Sequence, residues 1–292
     1  MPQISSTGVL ANISLETMSN IRMTAEHAAP MAALVENFQL PKGSDTEIFP
    51  KAGQVNVRAL NEGEEMTNEQ DIGLSTLSVT TNEVGGYVVL SSRLLRRTAQ
   101  SAGNLSRIVG KQFGTAQGRL MNTDLLALLG GLNGGTDLGA GGRELTAVNA
   151  TNVISQAHTD KYGSDLRFVH HPNAIMRLAK DLTTVGTSTI RPIPEGFSKE
   201  VLSKVWKGLQ VWDVPFFETG DITRDGGDDG VGGIFDRGAL GVLKEAAPRS
   251  DKNYLPRRRA WELVFVQEYI AFELDDTMGA PVTMDCASPA TT

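Results

Sequence analysis

Residues 105–131 read LSRIVGKQFGTAQGRLMNTDLLALLGG, and no other stretch constrains the fold as strongly. Leu105, Ile108, Val109, Phe113, Ala116, Leu120 and Met121 recur at helical spacing, so residues 104–130 read as one long amphipathic helix. Inside it Gly110, Gly114 and Gly118 fall on every fourth position, although an interior glycine costs about 1 kcal/mol relative to Ala. Small residues at that spacing make a bare stripe that allows another backbone to come close. Arg107, Lys111, Gln112, Arg119 and Asp124 exclude a membrane setting for such a stripe. The expectation is a structural rod with a greasy face on a core and its glycine face against a crossing segment. That segment is either the N-terminal helix or another subunit. The competing local reading is a set of tolerated, partly exposed glycines.

Around this rod the periodicity changes along the chain. Residues 14–38 carry a 3.6-residue apolar pattern after a Ser14 cap, which Pro30 is expected to kink or split. From 45 to 90 the period is two, with Ile48, Val55 and Val57 on one run and Leu74, Leu77, Val79, Val84, Val88 and Leu90 on the next. Between them lies NEGEEMTNEQDIG, an acidic tip holding Glu62, Glu64, Glu65, Glu69 and Asp71. This reads as a two-stranded arm, and a lone hairpin is marginal in water, so it must rest on something. SSRLLRRTAQ follows as a short basic helix with Arg93, Arg96 and Arg97. After the rod, GGLNGGTDLGAGG reads as a flexible loop. Residues 150–245 alternate helices and strands: RFVHHP a strand entering a turn, NAIMRLAKDL and SKEVLSKVW helices, LQVWDVPFFET a strand, GDITRDGGDDGVGG a loop. RAWELVFVQEYIAFEL alternates strongly and is expected to be the long strand that ends the fold.

The chemical inventory is thin. His170 and His171 are neighbours on a strand and so point to opposite faces, and no Cys or carboxylate at ligand spacing completes a metal site. The glycine-rich stretch lacks the Lys and Ser/Thr of a phosphate loop, and the pattern around Asp228 and Asp229 lacks the carboxylate spacing of a calcium loop. Neither a catalytic residue nor a cofactor-binding or metal-binding residue is expected. A single Cys286 excludes an internal disulfide and points to synthesis in a reducing compartment, and the N-terminal stretch has no signal-peptide pattern. No run approaches the roughly 20 apolar residues of a membrane span. A formal net charge of −7 argues against dedicated nucleic-acid binding. Arg257, Arg258 and Arg259 sit in a row in PRRRAWELV, read either as a solvated strand entry or as a contact for acidic groups. With Arg93, Arg96 and Arg97 they offer basic partners for the acidic arm tip, which suggests subunits that latch together.

The order of these parts resembles the major capsid proteins of tailed bacteriophages with the Hong Kong 97 fold. The resemblance lies in NEVGGYVVLSSRLLRRT leading into a long helix ending NTDLLALLGG, then a glycine-rich break, an insert with FVHHPNAIMRLAKD, and the strand RAWELVFVQEYIAFEL. It covers residues 10–286 and rests on the order of elements. It implies an α+β fold with an N-terminal arm (1–40), an extended β-hairpin loop (41–81), a peripheral domain with the spine helix (82–142), and an axial domain (143–245). A completing peripheral segment (246–286) and a disordered tail (287–292) follow. It further implies a structural protein and no enzyme, self-assembling into hexamers and pentamers of an icosahedral head in the virion, made in the bacterial host cytoplasm. The shell would enclose double-stranded DNA without binding it specifically, with portal, scaffold or cement proteins as further partners. An encapsulin-like compartment shell is the alternative.

Overall fold

The computed structural model describes residues 30–53, 59, 62, 73–91, 102–184, 209–245 and 248–288. The tip residues Glu64, Glu65, Glu69 and Asp71, the basic Arg93, Arg96 and Arg97, the segments 14–29 and 198–206, and the last four residues lie outside them. Helix α1 (Pro30–Leu34) has the proline as its first described residue, a place where a missing N–H is no loss in a first helical turn; the stretch of the expected helix before it lies outside the described residues. The chain then turns directly into strand β1 (Glu36–Gln39), where helical periodicity had been expected to run on to residue 38. Strands β2 (Thr46–Ala52) and β3 (Leu74–Thr80) pair antiparallel from Thr46↔Thr80 to Ala52↔Leu74 and form the base of the expected arm. Strand β4 (Asn82–Ser91) continues from it.

Helix α2 (Ala102–Leu129) is the expected rod, 28 residues and about 42 Å long at ~1.5 Å per residue. Helices α3 (Ala147–Thr159) and α4 (Pro172–Thr184) flank strand β5 (Leu166–His170). Thr146 caps α3 by accepting from the Asn149 N–H. The LQVWDVPFFET run is a hairpin, not one strand: β6 (Leu209–Val211) and β7 (Val214–Glu218) meet at Trp212 and Asp213, both with positive φ (51° and 62°). Strands β8 (Asp229–Asp236), β9 (Leu240–Lys244), β10 (Arg249–Leu255), β11 (Ala260–Glu273) and β12 (Gly279–Asp285) complete the chain. The long alternating strand therefore does not end the fold.

Two five-stranded sheets result. In the first, β11 is the organising strand: its first ten residues pair with β4, while its other edge pairs with β10 and then with β9, which β1 joins in parallel. The second runs β12-β8-β5-β7-β6. The chain changes sheet within the 143–245 and 246–286 segments, because β9 lies in the first sheet and β12 in the second. All but the first residue of the DDGVGG run, expected as loop, belongs to strand β8, paired along β12, with Gly233 also paired to β5. Its glycines have a packing reason: a Cβ on Gly232 would sit 2.3 Å from the Val169 carbonyl oxygen and 2.4 Å from the His170 ring. The 130–142 stretch is likewise held down against β12. Leu138 N–H donates to the Pro281 carbonyl, Asp137 accepts from Gly139 and Thr283 N–H groups, and a Gly139 Cβ would collide with Thr283 backbone.

The core shows why α2 is central. Phe113 packs on Phe265 (4.2 Å between ring centroids), Gln117 hydrogen-bonds Gln267, and Tyr269 Oη donates to Asp124 (2.7 Å), so one side of the helix lies along β11. Further on, Met121, Leu125 and Leu129 enter a cluster with Met31 and Leu34 of α1, Val169 and Phe235 of the second sheet, and Leu240 and Val242 of the first. Asn122, fully buried, joins three segments: it accepts from Met31 N–H and donates to Thr219 Oγ1 and Asp221 Oδ2. The division of faces differs from the expectation. Ala116 and Leu120 are exposed, while Gly110, Gly114 and Gly118 are buried on the same side as Met121 and Leu125.

Because Gly114 is buried within the single chain, Gly114→Leu is expected to destabilise the unassembled subunit by about 1–3 kcal/mol through overpacking. Thermal unfolding of wild type and variant under non-assembling conditions checks this. An unchanged melting temperature would show that the stripe tolerates bulk.

Candidate assembly surfaces

The arm has two unlike faces, because residues paired across an antiparallel ladder share a side. One face carries Val79, Phe49 and Leu77 and rests on the first sheet. Phe49 stacks on Phe272 of β11 (5.1 Å) and touches Phe38 of β1 (4.7 Å), with Leu243 and Val79 buried around them. Lys51 Nζ pairs with Asp275 at 2.6 Å. Burial raises the Asp275 pKa, but the hydrogen bonds from Lys51 and Thr277 outweigh it and hold the carboxyl below its usual value. The other face is open, with Ile48 60 % and Leu74 73 % exposed. The base of the arm therefore rests on its own subunit. Glu62 is exposed, in a turn beyond the paired strands.

Arg257, Arg258 and Arg259 form the turn joining β10 to β11, with Arg257 and Arg258 in a short 3-10 turn and Arg259 left-handed at φ 44°. All three are exposed. They are a hairpin tip and not a strand entry. Tyr254 and Trp261 pack against each other just below it (5.0 Å), with Tyr254 45 % exposed.

A second charged surface was not read from the sequence. Between the arm base and the far end of β11 lies a groove of about 910 Å³ floored by Phe38, Phe49, Leu77 and Met278. Its walls carry Glu36, Asp165, Asp236, Glu273, Asp275 and Asp276, against Lys51 and Arg237. Several of these carboxylates hold the chain locally: Asp236 accepts from Asp165 and Gly238 N–H groups, and Asp276 from Gly134 N–H. Burial and the neighbouring Asp276 push the Glu273 pKa up. These acids come from separate stretches of chain, and only the adjacent Asp275-Asp276 pair offered a local signal.

The residues with reactive chemistry are used for packing. His170 is fully buried; its Nε2–H donates to the Val282 carbonyl (3.1 Å), leaving Nδ1 to face the Cys286 thiol at 3.7 Å. Burial pushes that thiol up to about 11. His171 is partly exposed and its Nδ1 accepts from Asn173 N–H. Among the described residues no three His, Cys, Asp or Glu side chains are grouped to hold a metal ion, and no helix is long and apolar enough to cross a membrane. Asp228 pairs with Arg224 and Asp229 accepts from Gly142 N–H, so both are tied into local structure.

No family model matches the sequence, and no curated protein matches it. The fold is matched by solved structures over nearly its whole length. It is similar to the capsid protein of cyanophage P-SCSP1u (13% identical, TM-score 0.57, 87% of each chain covered). It is similar to that of the Myoviridae phage XM1 (13% identical, TM-score 0.62, 87% of this chain and 91% of that one). It is also similar to the SrpI encapsulin of Synechococcus elongatus PCC 7942 (11% identical, TM-score 0.62, 91% and 92%). These likenesses define the class: an α+β shell-protein fold with a hairpin arm, a long helix and two sheets. The chain has the Hong Kong 97 capsid fold.

The buried His170 gives this fold an acid limit. Burial lowers its pKa from 6.5 to about 4, against the raising effect of the Val282 carbonyl. Between those values the unfolded chain binds a proton that the folded chain refuses. Its contribution to stability is therefore complete above pH 6.5 and is lost as pH falls toward 4, about 3 kcal/mol at ~1.4 kcal/mol per unit. Urea midpoints of the unassembled subunit at pH 7 and pH 4.5 should differ accordingly. The difference should shrink in His170→Gln, and an equal slope in both proteins would rule out His170 as its source.

Proposed function

We propose that this chain is the major capsid protein of a tailed bacteriophage. It self-assembles into hexamers and pentamers that tile an icosahedral head around double-stranded DNA. The observation that carries this reading is the likeness in fold to phage capsid chains over 87% of this chain. In this reading β2–β3 is the base of the extended loop, α2 with the first sheet is the peripheral domain, and the second sheet is the axial domain. The acidic arm tip, including Glu62, reaches basic groups on a neighbouring subunit. The protein has no enzymatic task and no cofactor, and it resides in the virion after synthesis in the host cytoplasm. Portal, scaffold or cement proteins join it there.

The SrpI likeness favours a second reading, an encapsulin-like compartment that encloses protein cargo. Contents separate the two. Particles from the native source should contain DNA in the first case and a co-purifying enzyme in the second. Sedimentation and negative-stain microscopy of the purified protein at micromolar concentration should show capsomers or shells. A clean 31.3 kDa species at every salt concentration would overturn both readings.

A net charge of −7 also suits a wall that lets packed DNA slide, since a basic wall would hold it through counterion release. The purified protein should therefore bind duplex DNA weakly and lose it at physiological salt in a gel-shift assay. Salt-resistant or sequence-specific binding would contradict the structural role.

A further inference from the structure

The groove beside the arm base and the Arg257–Arg258 tip are complementary. The groove has an aromatic floor and an excess of carboxylates on its walls. The side-chain carboxylates of Glu36 and Glu273 have no hydrogen-bond or ion-pair partner among the described residues, and Lys51 is already held by Asp275. Glu273 is partly buried and faces Asp276, and both effects push its pKa up. The tip supplies what is missing. Arg257 and Arg258 are exposed with no carboxylate partner among the described residues, and the Tyr254–Trp261 pair lies directly beneath them. Arginine beside tyrosine and tryptophan is the composition that dominates protein–protein contacts.

The two surfaces cannot meet within one subunit. They sit at opposite ends of β11: Ala260 adjoins the tip and Glu273 lines the groove, 13 steps apart and so about 43 Å at ~3.3 Å per residue. A rigid strand paired on both edges holds them at that separation. We propose that Arg257 and Arg258 of one copy dock in the groove of a second copy, where they neutralise Glu36 and Glu273 while Tyr254 and Trp261 meet the aromatic floor. The contact is head-to-tail, since each copy offers its tip to one neighbour and its groove to another. Such a contact generates closed rings when the rotation closes. The proposal rests on the shell reading above and names one contact within it. It assigns these two arginines to the groove, leaving the acidic arm tip to another site.

The test is charge reversal with rescue, read by light scattering and sedimentation across subunit concentration. Arg257→Glu with Arg258→Glu should raise the concentration needed for assembly about tenfold or more, with the melting temperature of the free subunit unchanged because the tip is exposed. Adding Glu36→Lys and Glu273→Lys to the same chain should restore assembly. Arg257→Gln with Arg258→Gln, which keeps a polar turn without reversed charge, should show a milder form of the same defect. If the wild type assembles and the reversed or glutamine variants assemble equally well, the contact is overturned and the shell reading stands. Rescue by Glu64→Lys with Glu65→Lys in place of the groove pair would also overturn it, by making the arm tip the acceptor. A wild type that stays monomeric at every concentration and salt overturns the contact and the shell reading together.

Discussion

One helix has to satisfy two sheets at once, and most of the structure follows from that. Each five-stranded sheet has a face that must be covered, and α2 is long enough, at about 42 Å, to serve both. Its first half lies along β11 through Phe113 and Gln117, and its last turns place Leu125 and Leu129 among residues from both sheets. A cylinder in that position is crowded on more than one side. Gly110, Gly114 and Gly118 are buried on this helix, at a cost of about 1 kcal/mol each in helix propensity. Asn122 fixes the rotation of the same helix, because only one setting lets a single amide serve Met31, Thr219 and Asp221. A buried amide left unpaired costs about 1–3 kcal/mol, so the three segments are registered together or not at all.

The polar groups that look like a catalytic inventory do this same registering work. Asp137 pins the glycine-rich turn to β12, Asp236 holds the turn before β5, and His170 ties β5 to β12 through the Val282 carbonyl. Their acceptors and donors are taken up by these contacts within the fold. The exposed features instead lie at the ends of long elements: the arm face with Ile48 and Leu74, the Arg257–Arg258 tip, and the groove beyond Glu273. Among the described residues, the polar groups of these interior turns are paired inside the fold, and the larger unpartnered surfaces lie at its extremities.

What could be read in advance was whatever had a local period. The rod, the paired strands of the arm and the strand of β11 each carry a repeat of 3.6 or two residues over seven or more positions. The failures fall where tertiary contacts outvote composition. DDGVGG has loop composition, yet all but its first residue lies in strand β8, where Val169 and His170 crowd it from β5. The 130–142 stretch reads as flexible, yet backbone contacts with β12 hold it. Leu120 sits on the apolar stripe of a helical wheel and is nonetheless 40 % exposed, since the glycine face is the one turned inward. The groove was invisible for a different reason: its carboxylates come from positions 36, 165, 236 and 273–276, and only the crossing of β1, β8 and β11 brings them together.

The strength of such surface contacts fits their use. An exposed ion pair is worth about 0–1 kcal/mol, which cannot hold two monomers together at micromolar concentration. In the proposed contact the same pair would be floored by aromatic side chains and repeated around a ring, so it would gain burial and be made many times over. The subunit then needs no single tight interface, and misplaced neighbours can leave before the ring closes. The 43 Å of β11 sets the condition for this. It keeps the groove carboxylates and the Arg257–Arg258 tip too far apart to neutralise each other within one subunit.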